Sequence, residues 1–226
     1  MISFLMLLLV FQGDLAQDRA RVIELLRQGR TTDAEALLTQ ITKADPTDIG
    51  GWFRLGDLLY HTGYYERARQ SFERVLVLNP KDTIARVRLA VAIAKTGTPE
   101  EGERACMEVL SDASVPPDLD LLATYAQLLL ESGRAAQALS YMDRAVALAP
   151  QNAVVRSWRA NIYMALDRFE DAEREALEAS SRAPQLALPH TVLLRIYRAQ
   201  SRTQEIEREA AWFRALEGQS TSPDRP

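Results

Sequence analysis

The stretch that decides the fold is GWFRLGDLLYHTGYYERARQSF, residues 51–72, in which two amphipathic runs flank a turn that contains a glycine. Each run carries one small residue, Gly56 or Ala68, among large apolar residues such as Trp52 and Phe72. Two helices approach closely only where a side chain is nearly absent, and bulky side chains then fill the remaining space. The stretch therefore predicts a pair of closely packed helices, and Trp52 and Phe72 are interpreted as packing groups rather than as a binding site.

The same arrangement recurs along the chain. Prolines stand at spacings of 34, 36, 34 and 34 residues, at Pro46, Pro80, Pro116, Pro150 and Pro184. Glycines lie about midway between them, at Gly29, Gly63, Gly97 and Gly133. Because the proline ring cannot continue the helical hydrogen bonds, each proline is expected just after a helix. Each period thus predicts a helix, a tight turn and a second helix.

Small residues recur at equivalent places in these helices. In the first helices they are Gly56, Ala90, Ala126 and Ala160, and in the second helices Ala34, Ala68, Gly102, Ala138 and Ala172. Large residues occupy the intervening places, for example Leu122, Tyr125 and Met142. The pattern predicts one core of interlocking large and small side chains.

These residues resemble the tetratricopeptide repeat, whose pattern is W-x2-L-G-x2-Y, then A-x3-F, then P, with a period of about 34 residues. The matching residues are Trp52, Leu55, Gly56, Ala68, Phe72 and Pro80, with Leu59 where an aromatic residue is usual. The resemblance implies an all-α fold, a right-handed superhelical α-solenoid of about six helix-turn-helix pairs. The expected units are 15–48, 49–82, 83–118, 119–152, 153–186 and 187–217.

The ends of the chain depart from the repeat pattern. The first unit has Arg21 and Val22 in place of the usual Leu and Gly, as terminal repeats often do because one face has no neighbour. The two extra residues of the third unit fall in SDASVPPD, residues 111–118, where a longer turn is expected. The tail 218–226 has no apolar residue and is predicted to be disordered.

The resemblance further implies a concave surface, lined by the first helix of each pair, on which the family holds a peptide or a partner helix. Helical spacing selects the side chains that face away from the packing residues. They are Phe53, Asp57, Tyr60, Val87, Val91, Ala94, Ala123, Gln127, Leu130, Ser157, Asn161, Met164, Thr191, Arg195 and Arg198. Some family members clamp a peptide carboxylate with Lys and Asn side chains, which are absent at the matching places here.

No motif of catalysis or of cofactor binding is present. The two histidines, His61 and His190, lie far apart with no metal-binding spacing, and no phosphate-binding loop or nucleophile elbow occurs. Acidic pairs such as Glu100-Glu101 open second helices, where carboxylates favour the positive end of the helix dipole. The single cysteine, Cys106, cannot form an internal disulfide and is interpreted as a small buried residue. We therefore expect no enzyme activity, no metal and no cofactor.

Charge and the N-terminal residues bear on partners and location. The net charge is −4 without a basic stripe, which disfavours nucleic acid as a partner. Residues 1–14 open with MISFLMLLLVF, which is about half the length of a membrane-spanning helix and is typical of a signal-peptide core. The leader favours the periplasm or a membrane anchor over the cytoplasm, although no basic residue precedes it. A mis-assigned start or a capping helix stays an alternative.

The sequence predicts a binding scaffold that recognises a peptide or protein on its concave face, with a role in a bacterial envelope assembly as a hypothesis. A second interpretation is a regulatory module or fragment of a larger enzyme, such as a transferase, whose catalytic domain would lie outside these repeats. A third is an oligomer that pairs through the leader or through the end helix with Trp212 and Phe213. The partner and the oligomeric state are not determined by the sequence.

Overall fold

The computed structural model describes residues 16–220, and this part of the chain contains helices and turns but no strand. The helices are α1 (16–27), α2 (Thr31–Ala44), α3 (Ile49–His61), α4 (Tyr65–Leu78), α5 (Thr83–Thr96), α6 (Pro99–Leu110), α7 (Leu119–Glu131), α8 (Ala135–Leu148), α9 (Ala153–Ala165), α10 (Phe169–Arg182), α11 (Ala187–Ala199) and α12 (Thr203–Ser220). The all-α class and the helix-turn-helix pairs are as predicted.

The chain divides into two compact units, an N-terminal unit (Met1–Val115) that holds α1–α6 and a C-terminal unit (Pro116–Pro226) that holds α7–α12. From α2 to α6 and from α7 to α12 each helix packs on the next one, and the first helices of adjacent pairs also contact each other, α3 with α5 and α9 with both α7 and α11. This is the side-by-side stacking of helix pairs that defines an α-solenoid. The division falls inside the segment 111–118, where the sequence predicts the longer turn.

The turns within the pairs use the left-handed backbone region. The φ angles are 71° at Gly29, 84° at Gly63 and 75° at Gly133. Asp167 and Ser201 occupy the same place in later pairs with φ of 56° and 55°. Glycine adopts this conformation without steric cost, whereas a side chain adds about 1 kcal/mol of strain. The glycine period of the sequence therefore reports a real backbone requirement.

The turn at Gly97 is different, although the glycine keeps the period. Its φ is −89°, so it lies outside the left-handed region. Thr98 begins α6 instead, because its hydroxyl accepts from the Glu101 backbone N–H while the Glu101 carboxylate accepts from the Thr98 N–H. Pro99 occupies the first helical position, where a missing N–H costs nothing. The acidic pair at residues 100–101 is thus a helix-start feature, as predicted.

Prolines follow the second helices as expected. Helices α2, α4, α8 and α10 each end two residues before a proline. Helix α6 ends at Leu110, well before Pro116, and the intervening segment is held by Asp112. The Asp112 carboxylate accepts from the Ser114 backbone N–H and hydroxyl and from Arg86 on α5. The longer connection is therefore an ordered turn.

The core of the N-terminal unit contains the packing residues that the sequence singled out. Leu55 is 5% exposed, Ala68 and Phe72 are fully buried, and Trp52 packs against this cluster. A Cβ atom added at Gly56 would lie 2.9 Å from the Phe72 ring, so the glycine allows the ring of α4 to touch the backbone of α3. The Trp52 indole N–H also donates to the Pro46 carbonyl oxygen. The interpretation of this motif as packing is confirmed.

The core of the C-terminal unit contains an ion-pair cluster beside its apolar residues. The Glu175 side chain, 8% exposed on α10, accepts from Arg156 at 3.0 Å and from Arg159 at 2.7 Å, both on α9. Arg156 also donates to the Pro150 carbonyl oxygen, which is the bond that Trp52 makes to Pro46 in the equivalent place. An arginine thus replaces the usual tryptophan, and the buried glutamate compensates its charge.

The two helices of the last pair, α11 and α12, contact each other through His190, Glu209 and Trp212. His190 stacks on Trp212 of α12 with ring centroids 3.9 Å apart, and its Nδ1 lies 2.7 Å from the buried Glu209 carboxylate. The Trp212 indole N–H donates to the Pro184 carbonyl oxygen. His190 is therefore a packing residue, as expected, and Trp212 is engaged within its own chain.

Two predictions concern the ends of the chain. Helix α12 continues to Ser220, so residues 218–220 are helical and their predicted disorder is wrong. The physical reason is that the first residue unable to continue the helix is Pro223. The leader 1–14 and residues 221–226 lie outside the described residues. Among the described helices, none is long and apolar enough to cross a membrane.

Candidate partner-binding faces

The first helices of the N-terminal unit form a face that we define by Leu26, Phe53, Asp57, Tyr60 and Arg88. A cleft of about 260 Å³ opens between α1 and α3 on this face. It is lined by Leu26, Phe53, Arg54, Asp57, Leu58 and His61. Helix α1 is positioned by Arg19, which donates to the nearly buried carboxylate of Asp48 at the start of α3. Phe53, Asp57 and Tyr60 were predicted for this face.

The two aromatic residues of this face, Phe53 and Tyr60, each pack against another aromatic ring of the unit. Phe53 contacts the buried Phe72 edge to face with centroids 5.8 Å apart, and Tyr60 contacts Tyr65 in the same manner at 5.5 Å. Both rings are half-buried, and both pack against the core of the unit. They present rigid apolar edges, since packing holds each ring in one rotamer.

The charge on this face is concentrated around Asp57. Its carboxylate lies 3.7 Å from the Arg88 guanidinium of α5 and 3.6 Å from His61 Nε2. The Arg88 guanidinium also lies 5.6 Å from the centre of the Tyr60 ring, within the range of a cation–π contact. The sequence prediction missed Arg88 and Leu26. Leu26 could have been found, because the 34-residue period makes it the equivalent of Tyr60 in the preceding repeat.

The predicted places of Val87 and Val91 on the concave face are wrong. Val87 is 4% exposed and Val91 is fully buried, so neither can contact a partner. Both belong to α5, which packs against α3, α4 and α6. Arg88, between them in sequence, reaches across to Asp57 and Tyr60 on α3. The short valine side chains therefore remain in the core while the longer arginine supplies the surface.

The first helices of the C-terminal unit provide a second face. By the 34-residue register its positions are Ala123, Gln127 and Leu130 on α7, Ser157, Asn161 and Met164 on α9, and Thr191, Arg195 and Arg198 on α11. We call these the C-terminal face. Ser157 is an exception, because it is fully buried and donates to the Ala153 carbonyl oxygen. Its predicted place on the surface is wrong.

The polar row of this face runs through Gln127, Asn161 and Arg195. Arg195 donates to the Asn161 side-chain oxygen at 2.8 Å, so the structure brings these two predicted residues into direct contact. Gln127 and Asn161 are half-buried, whereas Arg195 and Arg198 are exposed. Beside this row, Leu130 and Met164 are half-buried, and Met164 packs against the core of the unit.

Side chains with shifted pKa values lie away from both faces and have structural causes. Burial raises the pKa of the Cys106 thiol to about 12. Hydrogen bonds from Ser114 and Arg86 lower the pKa of Asp112 to about 2. Burial and the nearby Glu173 raise the pKa of Tyr197 to about 12. In residues 16–220, no group of three His, Cys, Asp or Glu side chains is placed to hold a metal ion.

Family models described as tetratricopeptide repeat match most of the chain. One matches residues 129–196, and another matches residues 19–83 and 63–114. Among curated proteins, none matches the sequence.

Solved structures of repeat proteins share the fold. The crystal structure of PilW, a widely conserved type IV pilus biogenesis factor, has a TM-score of 0.75 at 18% identity and covers 92% of this chain and 95% of its own. PilF of Pseudomonas aeruginosa has a TM-score of 0.70 at 14% identity, covering 94% of this chain and 95% of its own. YrrB, described as a TPR protein with an unusual peptide-binding site, has a TM-score of 0.59 at 15% identity and covers 80% and 92%. The TM-scores show a common fold, and at identities this low the similarity shows the fold alone.

Proposed function

Since the chain belongs to the tetratricopeptide-repeat proteins, we propose that it is a non-enzymatic scaffold that binds a peptide or protein segment on its first-helix faces, within an assembly of the bacterial envelope. Repeat proteins of this family are protein-interaction scaffolds that are typically not catalytic. One observation carries the assignment of the faces. In each unit the first helices present anchored side chains that keep part of their surface outside the core, such as the half-buried Phe53 and Asp57 in one unit and Asn161 and Arg195 in the other.

Binding on these faces follows from how the helix pairs are built. The second helices and the apolar sides of the first helices are used for packing, and the remaining side of each first helix is free to contact a partner. Aromatic side chains fixed from below lose little conformational entropy when a partner covers them. The cleft between α1 and α3 fits one apolar side chain of a partner, with Asp57, the partner of Arg88, as a polar contact in its lining.

The envelope setting rests on two observations. PilW, one of the similar structures, is a type IV pilus biogenesis factor by description, and the leader 1–14 is typical of export. Fractionation of the full-length protein, alongside a shortened form that begins at Leu15, tests this setting. If both forms stay in the cytosol and neither is cleaved, the envelope assignment fails.

Binding is tested by affinity capture from native lysate, compared between matched variants. Leu26→Asp and Met164→Asp each place a charge on one of the two faces. Met107→Asp and Leu177→Asp place the same charge on second helices, at residues that are each 47% exposed. We expect a face variant to lose captured partners that both control variants retain. Partners that survive in both face variants, or that disappear equally in the controls, would contradict the proposal.

A further inference from the structure

The C-terminal face carries two arginines, Arg195 and Arg198, that pair with no carboxylate among the side chains that the structure describes. Helices α9 and α11 contain no Asp or Glu, although the whole chain has a net charge of −4. Arg195 and Arg198 stand three residues apart on α11, hence on one side of that helix, and both are exposed. Across the described part of the chain, no carboxylate pairs with either guanidinium, and the one polar partner seen is the neutral Asn161.

Neighbouring arginines of the same unit behave differently. Arg156 and Arg159 on α9 are paired with the buried Glu175, and Arg202 after α11 is paired with Glu173. Exposed arginines of this unit, such as Arg168 and Arg182, have carboxylate partners as well. Arg195 and Arg198 are left with their charge available for a partner.

Asn161 fixes the geometry of this charge. Its side-chain oxygen accepts from Arg195, and its amide N–H groups are left to donate. Gln127 occupies the equivalent place on α7, so the polar row offers amide groups on two helices and a guanidinium on the third. Side-chain amides both donate and accept, which suits them to the N–H and C=O groups of a peptide backbone.

The spacing of the row suits an extended chain. Axes of packed helices lie about 8–10 Å apart, and an extended chain advances about 3.3 Å per residue. About three residues therefore pass from one first helix to the next, and about six span α7 to α11. A helical segment advances only about 1.5 Å per residue and would bury its backbone groups internally, so it would leave the amide row unused.

We propose that the C-terminal face recognises an extended segment of a partner protein that carries Asp or Glu side chains, with these carboxylates on Arg195 and Arg198 and the segment's backbone on Asn161 and Gln127. This inference rests on the proposed function and specifies the chemistry of the partner.

The test selects peptide segments on the immobilised full-length chain. The probe is a displayed library of random segments of about twelve residues, twice the length that spans the row, held between fixed flanking sequences. Enriched segments are then synthesised with capped ends and a fluorescent label, and their affinity is measured by anisotropy at low and high salt. We expect enrichment of Asp and Glu over the input library, and affinity that falls as salt rises.

Charge variants test whether the carboxylates of the bound segments contact Arg195 and Arg198. Charge-assisted hydrogen bonds predict a loss of about tenfold or more in affinity for R195E/R198E and a smaller loss for R195Q/R198Q. R104E/R208E is the matched control, since it makes the same charge change at two exposed arginines elsewhere and should keep the affinity. Circular dichroism establishes that each variant is folded, and the Gln pair guards against misfolding of the Glu pair.

The outcomes separate this inference from the function on which it rests. Segments that lose binding in Met164→Asp but carry no excess of acid, or that bind R195E/R198E unchanged, overturn the acidic-partner inference and leave the scaffold function standing. Binding that requires a free C-terminal carboxylate overturns the inference as well. A selection without binders, or with binders that Met164→Asp does not affect, removes the function of this face and the inference together.

Discussion

The contact between Gly56 and Phe72 gives the sharpest test of how the helices pack. In Gly56→Ala the new Cβ would lie 2.9, 3.0 and 3.1 Å from three carbon atoms of the Phe72 ring, against about 3.5–4.0 Å for an ordinary carbon contact. The ring cannot easily move, because it is fully buried and Phe53 packs edge-on against it at 5.8 Å. The substitution therefore compresses a contact that has no slack.

The expected magnitude is the difference between two effects. Overpacking a core costs about 1–3 kcal/mol, while alanine in place of glycine inside a helix gains about 1 kcal/mol. The net loss in the free energy of unfolding is then about 1 kcal/mol, which lowers the melting temperature by about 4 °C for a unit of roughly 100 residues. Urea unfolding followed by circular dichroism at the helix band measures it.

Two further variants make the result specific. Gly50→Ala is the matched control, because its new Cβ would meet only flexible side-chain atoms, the nearest being the Arg54 guanidinium at 3.2 Å, and we expect no loss of stability. In the double variant with Phe72→Leu, the smaller side chain should relieve the compression and give a favourable coupling of about 1 kcal/mol. If Gly56→Ala stabilises the protein as much as Gly50→Ala does, or if the two sites show no coupling, the packing argument is refuted.

Three other predictions concern groups outside the binding faces. Glu175→Ala removes the counter-ion of the mostly buried Arg156 and leaves Arg159 with only the exposed Asp143. It should cost about 2 kcal/mol in urea unfolding, whereas the same change at an exposed glutamate should cost little. Because burial raises the pKa of the Cys106 thiol to about 12, a thiol reagent at neutral pH should label the protein only after unfolding, and rapid labelling of the native state would contradict the buried position. The pKa of Asp112, about 2, lies below the unfolded value of about 4, so this carboxylate stabilises the fold above about pH 4 and its contribution is lost as the pH falls towards 2. Arg86→Ala should raise the pKa of Asp112, as measured by a carboxyl NMR titration. An unchanged pKa would show that the ion pair between Arg86 and Asp112 is not formed.

The packing rule could be read from the sequence because it is periodic. Glycines and prolines recur at fixed distances, and the structure places them at turns and helix ends as local backbone sterics require. The exception, Gly97, shows the limit of this reasoning, since a capping box at Thr98 makes a different turn from a glycine at the same period.

Complementary volumes extend the same rule across the units. The partner of each small residue in the first helix stands sixteen positions later, and the pairs are Gly56 with Phe72, Ala90 with Cys106, Ala126 with Met142, and Ala160 with Ala176. All the second members are fully buried. The glycine stands against Phe72, the largest of these side chains, as close packing demands.

The binding faces could be predicted only in part. Helical spacing selected Phe53 and Asp57, which line the cleft beside α1, and it selected Asn161 and Arg195, which contact each other across two helices. The same spacing failed for Val87, Val91 and Ser157, which lie in the core. Spacing gives the direction in which a side chain leaves its helix, but its exposure depends on how far it reaches and on what the next helix places above it.

The sequence by itself therefore determined the class of fold, the helix pairs and the packing residues that recur in each repeat, since these depend on local backbone preferences and on a repeated pattern of volumes. Only the tertiary structure decided which side chains of the first helices remain available. Arg88 crosses from α5 to Asp57, Glu175 neutralises two arginines of α9, and Arg195 retains its charge. These outcomes depend on contacts between residues that lie on different helices. Whether two such side chains meet depends on their charges and lengths and on the distance between the helices, and a local sequence pattern contains none of this information.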